Sequence, residues 1–157
     1  MARARYQVLI MPFRHTDDGQ IEYACLRRSD IEVWQGIAGG GENGEVAAEA
    51  ALREAVEEAG VPWDATLYRL ETTCSIPTCY FEAAREWPAD LLVIPEYAFA
   101  IDCTGLAMRV SAEHSQLRWG TYEQAWALLG WDSNKTALWE LRERLRRGSL
   151  GPPCDSR

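Results

Sequence analysis

Three carboxylates, Glu54, Glu57 and Glu58, stand at i, i+3 and i+4 within Arg53-Glu54-Ala55-Val56-Glu57-Glu58-Ala59-Gly60-Val61. On a helix that spacing gathers them on one face, where like charges repel one another. A hard divalent cation such as Mg²⁺ relieves the repulsion, because it selects carboxylate oxygens. Held there, a cation can organise phosphate chemistry. Ala48, Leu52, Ala55, Val56 and Ala59 collect on the opposite side, so the helix packs its apolar face inward and turns its acids outward. A plainly solvated acidic face is the other reading of this pattern. Two features argue against it. Few cations interleave with the acids on that face, and the cluster Gly39-Gly40-Gly41 lies just upstream, where bare backbone can approach a ligand or metal.

The elements that must hold this helix can be read along the chain. Tyr6 to Phe13 is apolar and reads as a buried strand, with Ile21 to Arg27 as its partner across the turn Asp17-Asp18-Gly19. A short strand is expected within Ile31 to Ile37. The glycine cluster reads as a loop, after which Asn43 is the expected cap of a helix from about Glu45 to Ala59, closed by Gly60. Strands are expected over Tyr68 to Phe81 and Leu91 to Ile101, the second interrupted by Pro95. Thr121-x-x-Gln124 has the form of a capping box and opens a helix from Tyr122 to Leu129. A last helix is expected from Asn134 to Arg147, making residues 1–147 one domain. The tail 148–157, with its Gly, Pro, Ser and Asp, reads as disordered. Strands and helices mix without strict alternation, which favours a mixed sheet with flanking helices over a doubly wound fold.

The bulk numbers bound the function classes. A chain of 157 residues with 47% apolar residues can bury one real core. A net charge of −8 gives no long-range attraction for a nucleic acid polymer or an anionic membrane. A phosphate ligand therefore needs local help from metal, Arg or Lys. No apolar run approaches the ~20 residues of a membrane helix, and no cleavage site follows the short apolar run ending at Phe13. Cys25, Cys74, Cys79, Cys103 and Cys154 are odd in number and contain no C-x-x-C pair. The expectation is reduced thiols in a cytoplasmic protein rather than a disulfide framework or a zinc site.

The order Gly39, Glu45, Arg53, Glu54, Ala55, Glu57, Glu58, Gly60, Val61 resembles the signature of the Nudix hydrolases, with every fixed position filled over 23 residues. Ala38 departs from the Pro that many relatives carry there. The resemblance implies an α/β fold, an α/β/α sandwich with a mixed β-sheet, and hydrolysis of a diphosphate bond in a small-molecule di- or triphosphate. It implies Mg²⁺ as cofactor, with Mn²⁺ as a substitute. It makes Glu57 and Glu58 metal ligands, and Glu54 a metal ligand or base. Arg53 would orient a catalytic glutamate, the alternative being an ion pair with Glu49. Glu45 would brace the loop against the helix, beside the motif glycines Gly39, Gly40, Gly41 and Gly60. The carbonyl of Ala38 or Gly39 would add a ligand.

A looser likeness extends further. Cys25-Leu26-Arg27-Arg28 and Val33-Trp34-Gln35-Gly36, then Glu113-His114, Arg118-Trp119 and Trp131-Asp132-Ser133-Asn134-Lys135, resemble dihydroneopterin triphosphate pyrophosphatases and their close relatives. In that group the counterpart of Glu113 is a further metal ligand; a surface loop acid is the alternative. Arg27, Arg28 and Lys135 become candidates for phosphate, Trp34 for stacking on a ring, and His114 for a substrate contact. Each has a structural alternative as surface cation, core filler or loop residue, and Asn134 reads first as a helix cap. The activity expected is release of pyrophosphate and monophosphate from a pterin or nucleoside triphosphate. A housecleaning (deoxy)nucleoside triphosphatase is the competing substrate reading. Pro77 points weakly to ADP-ribose, and Tyr80 stands off register for dinucleoside polyphosphates. A non-catalytic nucleotide-binding module on the same scaffold is the alternative of another class, and intact glutamates speak against it. A homodimer is compatible with the resemblance, but no segment defines its interface.

Overall fold

A computed structural model describes residues 2–155. Its centre is β1 (Arg3–His15), whose alternation sends Val8 and Ile10 to one face of the sheet and Leu9, Met11 and Phe13 to the other, all buried. β6 (Val93–Asp102) runs parallel to β1 along Gln7 to Phe13. The other edge of β1 is shared. β4 (Ile37–Glu42) pairs antiparallel with its first part, and β2 (Ile21–Arg28) with Phe13 to His15. β2 carries β3 (Trp34–Gln35) and β7 (His114–Gly120), while β5 (Thr66–Pro77) lies outside β6.

Helices cover both faces. α1 (Ala47–Ala59) buries Ala50, Ala51, Leu52, Ala55 and Ala59 with Val8, Ile10, Ile37 and Phe99. α2 (Tyr122–Leu128) and α3 (Asp132–Arg147) bury Ala125, Ala137, Leu138 and Leu141 with Leu9, Met11, Phe13 and Leu70. This is the expected α/β/α sandwich with a mixed sheet. The described cysteines are all free thiols, and no described helix is long and apolar enough to cross a membrane.

Several local expectations are corrected. Gly39, Gly40 and Gly41 are not in a loop: they lie inside β4, where Gly39 pairs with Val8 and Gly40 with Gln7. Asn43 does not cap α1; it sits in the preceding turn, its amide donating to the Ala2 carbonyl. The N-cap is Val46, whose amide donates to the Glu49 carboxylate at 3.0 Å, so a side chain inside the first turn satisfies the helix end. Gly60 does close α1, at φ 69. Pro95 does not interrupt β6 but pairs within it opposite Ser75. The strand expected to reach Phe81 ends at Pro77, and short 3₁₀ turns at Thr78–Tyr80 and Glu82–Glu86 follow. β7 was not expected as a strand. The Thr121 capping box forms as expected, with Thr121 and Gln124 exchanging bonds of 2.9 and 3.2 Å.

Two corrections concern the end of the chain. α3 begins at Asp132 with Trp131 as N-cap, and Asn134 is buried in the first turn, accepting the Gly36 amide at 2.8 Å. It therefore ties α3 to the segment before β4 instead of capping. Beyond Gly148 the tail is docked as far as it is described. Leu150 packs on the α2/α3 side, and the Cys154 amide donates to the Leu67 carbonyl at 2.7 Å. The packing of Leu150 and of the Cys154 side chain on the core, with one strand-edge bond, holds what Gly and Pro content suggested was disordered. Residues 1, 156 and 157 of the expected domain and tail fall outside the described residues.

β5 shifts register between Arg69 and Thr73, which frees the amides of Glu71 and Thr72 from the ladder. The Glu140 carboxylate of α3 accepts both, at 2.7 and 2.8 Å, as well as the Thr72 hydroxyl, and pairs with Arg144 at 2.7 Å. Burial alone would raise the Glu140 carboxyl; those donors outweigh it and hold it below the usual range. A depressed carboxylate stabilises the fold at neutral pH, and that contribution is lost as pH falls through its folded value. Glu140→Gln is expected to cost about 1–3 kcal/mol at pH 7. The gap to wild type should close on acidification, which chemical denaturation at several pH values would show.

Candidate active site

Arg53, on α1, is the hub that fixes helix to sheet. Its guanidinium donates to Glu45 at 2.6 and 3.1 Å, to the Gly40 carbonyl at 2.8 Å, to Glu54 at 3.0 Å and to Glu57 at 3.2 Å. The expected alternative partner, Glu49, is engaged at the helix start instead. Glu45 accepts the Glu42 amide at 3.1 Å as well as the Arg53 fork, so one carboxylate joins the end of β4 to α1. Those contacts hold its carboxyl below the usual range, the Arg53 hydrogen bond most of all.

The acids divide into two settings. Glu57 is exposed and leans on Arg53. Glu54 and Glu58 are buried, at 9% and 4% exposure. A Cβ on Gly39 would stand 2.1 Å from the Glu54 carboxyl carbon, so only glycine lets that carboxylate lie against β4. Burial pushes Glu54 up even beside Arg53. Burial, and then the neighbouring charges of Glu54 and Glu113, push Glu58 up strongly.

Glu113 reaches this cluster by backbone bonding. The Arg109 and Ser111 amides donate to the Ala59 and Glu58 carbonyls at 3.0 and 3.1 Å, clasping the end of α1. The Glu113 carbonyl accepts the Ser29 amide at 3.0 Å, which fixes the same loop to the end of β2. His114 follows, 5% exposed, with its Nδ1 3.8 Å from Glu58 and neither ring nitrogen hydrogen-bonded. Burial lowers its pKa, which favours the neutral ring beside the acids.

Sequence reasoning missed Arg3. Its guanidinium lies over Gly40, where a Cβ would stand 2.1 Å from Nη1. It donates to the Gln7 side chain and sits 4.8 Å from the Phe81 ring centroid. Its Nε is buried without a partner, and among the described residues it makes no ion pair within 4.0 Å; burial lowers its pKa, and the nearby Glu54 charge offsets only part of that. No motif marks it; the pairing of β1 with β4 is what brings it to the glycines.

The other sequence candidates are spread out. Arg28 is paired with Asp30, and Arg27 with Glu32 at 3.2 Å. Arg28 pairs in the sheet with His114, so it flanks the Glu113 loop. Trp34 packs against the α2/α3 core with Arg118 5.0 Å from its ring. Lys135 does not join the acids: its ammonium lies 5.5 Å from the Trp126 ring, on the helical side. Pro77 is the last residue of β5, and Tyr80 is exposed in the turn after it.

Among the described residues no three His, Cys, Asp or Glu side chains form a ready-made metal cage. The donor set nevertheless fits a hard cation. It offers oxygen donors only, and burial together with the neighbouring Glu54 and Glu113 charges disfavours an unpaired charge on Glu58. The Glu58 Oε2 is buried with no hydrogen-bond partner. Carboxylates in that state suit Mg²⁺ rather than zinc or copper.

Comparison with known proteins identifies the family and the fold. A model of the NUDIX domain family matches residues 7–140. A protein assigned as a NUDIX hydrolase from Listeria monocytogenes is 44% identical, with TM-score 0.84 over 93% of this chain and 97% of that one. The dihydroneopterin triphosphate pyrophosphohydrolase of E. coli is 22% identical, with TM-score 0.71 over 90% and 99%. An Ap4A hydrolase of C. elegans is 19% identical, with TM-score 0.71 over 92% and 99%. These two likenesses are of fold. No curated protein matches the chain significantly.

Proposed function

Since the chain belongs to the NUDIX family and is a hydrolase of phosphoric anhydride bonds, we propose that it is a Mg²⁺-dependent pyrophosphohydrolase of a pterin or nucleoside triphosphate. Its products are the monophosphate and pyrophosphate. The observation that carries this reading is the meeting of opposite needs around Gly39 and Gly40. On one side is Glu58, a buried carboxylate with an oxygen that has no partner, and on the other is a guanidinium, Arg3, whose buried Nε has none either. A metal polyphosphate satisfies both.

In this proposal Glu54 and Glu58, with Glu113 and the Gly39 carbonyl, hold the metal, and Glu57 completes the set on the exposed side. Bound there, the metal supplies charge neutralisation and a more acidic water. Arg53 holds Glu54 in place, and Arg3 contacts the polyphosphate. Water adds to phosphorus, the bridging oxygen leaves with the bonding pair, and the Glu54–Glu58 pair would take the water's proton.

The test is a substrate panel of dihydroneopterin triphosphate, dNTPs, ADP-ribose and diadenosine polyphosphates, with Mg²⁺ and with EDTA. Mg²⁺-dependent pyrophosphate release from a triphosphate is the expected result. Fastest turnover of ADP-ribose would replace the triphosphate reading. Within the same panel, Arg3→Gln should raise KM for the triphosphate by about tenfold or more with a smaller effect on kcat. An unchanged KM would remove Arg3 from the binding site.

A further inference from the structure

On the α2/α3 face of the sheet a polar row interrupts the buried apolar residues of β6, with Ala98 on one side of it and Ile94 on the other. Leu9 of β1 stands beside Ala98 of β6, both buried in the core of that face. Two residues back along each strand, on the same face, the row is Gln7 of β1, Glu96 of β6 and Cys74 of β5. Ser133, in the first turn of α3, stands near this row: its hydroxyl favours the charged forms of Glu96 and Cys74, although burial pushes both groups up. Asn134 in turn bonds Ser133 at 3.2 Å and the Gly36 amide at 2.8 Å.

The row is continuous with the candidate active site. Gln7 pairs with Gly40 on one side and Glu96 on the other, and its side chain accepts a hydrogen bond from Arg3. Gly40 to Glu96 therefore spans two strand spacings, about 10 Å. A ring joined to its α-phosphate through a sugar or a short side chain covers that distance.

Glu96 is unusual for its position. It is 6% exposed, and among the described residues no cation lies within 4.0 Å of it. The hydrogen bond it accepts comes from a thiol, Cys74 Sγ at 3.5 Å, and burial pushes its carboxyl up. A carboxylate buried among neutral donors costs more than the amide of the same shape, so the fold alone would be served better by Gln. What a carboxylate adds is two acceptor oxygens side by side and no donor to clash with a ligand's N–H. A planar ring edge carrying a ring N–H next to an exocyclic amino group matches that pattern.

We propose that this row is the ring-binding floor of the substrate groove, and that Glu96 sets specificity by accepting the ring N–H and 2-amino group of a 2-amino-4-oxopyrimidine edge. Guanine and the pterins share that edge. The proposal rests on the triphosphate reading above and narrows it: adenine and pyrimidine triphosphates are excluded as preferred substrates, and Arg3 and Glu96 bracket the substrate from its two ends.

The test compares dGTP with dITP, which differ only in the 2-amino group, on wild type and Glu96→Gln, with dATP and dihydroneopterin triphosphate as further arms. Calorimetric binding of GMP and IMP gives a readout that needs no turnover, and thermal unfolding checks the variant's fold. Wild type should favour dGTP over dITP in kcat/KM by at least about tenfold, and GMP over IMP likewise. Glu96→Gln should bring each pair level. A faster pterin or a faster dGTP identifies which source of the edge the groove takes, and either supports the proposal. A wild-type ratio near one overturns it whether or not the variant folds, and so does a preference that survives in Glu96→Gln. If no triphosphate is hydrolysed while GMP is still preferred through Glu96, the ring floor stands and the proposed reaction falls.

Discussion

Glu58→Gln should lower kcat by at least about a hundredfold while leaving the metal-free protein as stable as wild type or more so. The two halves of that result come from one fact. Glu58 is a buried carboxylate beside Glu54 and Glu113, with an oxygen that bonds to nothing in the protein. In the absence of a cation this arrangement opposes folding, so a neutral isostere relieves it. With Mg²⁺ the same oxygen is the one best placed to be a ligand. Wild type should therefore gain thermal stability on addition of Mg²⁺, by about 2.7 kcal/mol at a hundredfold excess over Kd, and the variant should lose most of that gain. Thermal melts in EDTA and in Mg²⁺, read beside turnover, separate the two effects. An undiminished Mg²⁺ shift in Glu58→Gln would remove this residue from the metal site, and full activity would remove it from the reaction.

The parts of this molecule that lie within one helix and its approach were legible in the sequence. Glu54, Glu57, Glu58 and Arg53 share a face because helical geometry is local, and Glu45 is near enough in the chain to be tied to them. The stop at Gly60 was legible for the same reason. What depends on pairing between distant segments was not. The glycines look like a loop by composition, yet they form a strand, and Gly39 and Gly40 leave the space that Glu54 and Arg3 occupy. Arg3 sits near the chain start with no motif around it. Only the antiparallel pairing of β1 with β4 brings it to Gly40. Glu96 is one acid among 24 Asp and Glu, and its burial follows from a parallel pairing that no local signal announces. Lys135 is placed by the same kind of distant packing: the first turns of α3 send its ammonium toward Trp126 rather than the acids of α1.

Arg53→Lys isolates what the hub supplies beyond charge. Lysine keeps the cation but loses the planar fork, and one ammonium cannot serve Glu45, the Gly40 carbonyl and Glu54 from separate nitrogens as the guanidinium does. The expected cost to stability is about 2–3 kcal/mol, since a half-buried carboxylate and a carbonyl lose charged donors. The loss should couple to Glu45. With Glu45→Gln already present, Arg53→Lys should cost visibly less than it does alone, because both changes cut the same contact. Turnover should fall by about tenfold to a hundredfold, since Glu54 is no longer held against Gly39 and small displacements of a reacting group are costly. KM for the triphosphate should move little, because Arg53 faces carboxylates on its donors' side and Arg3 meets the phosphates. A variant with wild-type kcat and stability would mean that charge alone suffices at this position, and the hub would then be an ordinary helix ion pair. A large rise in KM with kcat intact would mean instead that Arg53 meets the substrate, and the division of labour between the two arginines would have to be reversed.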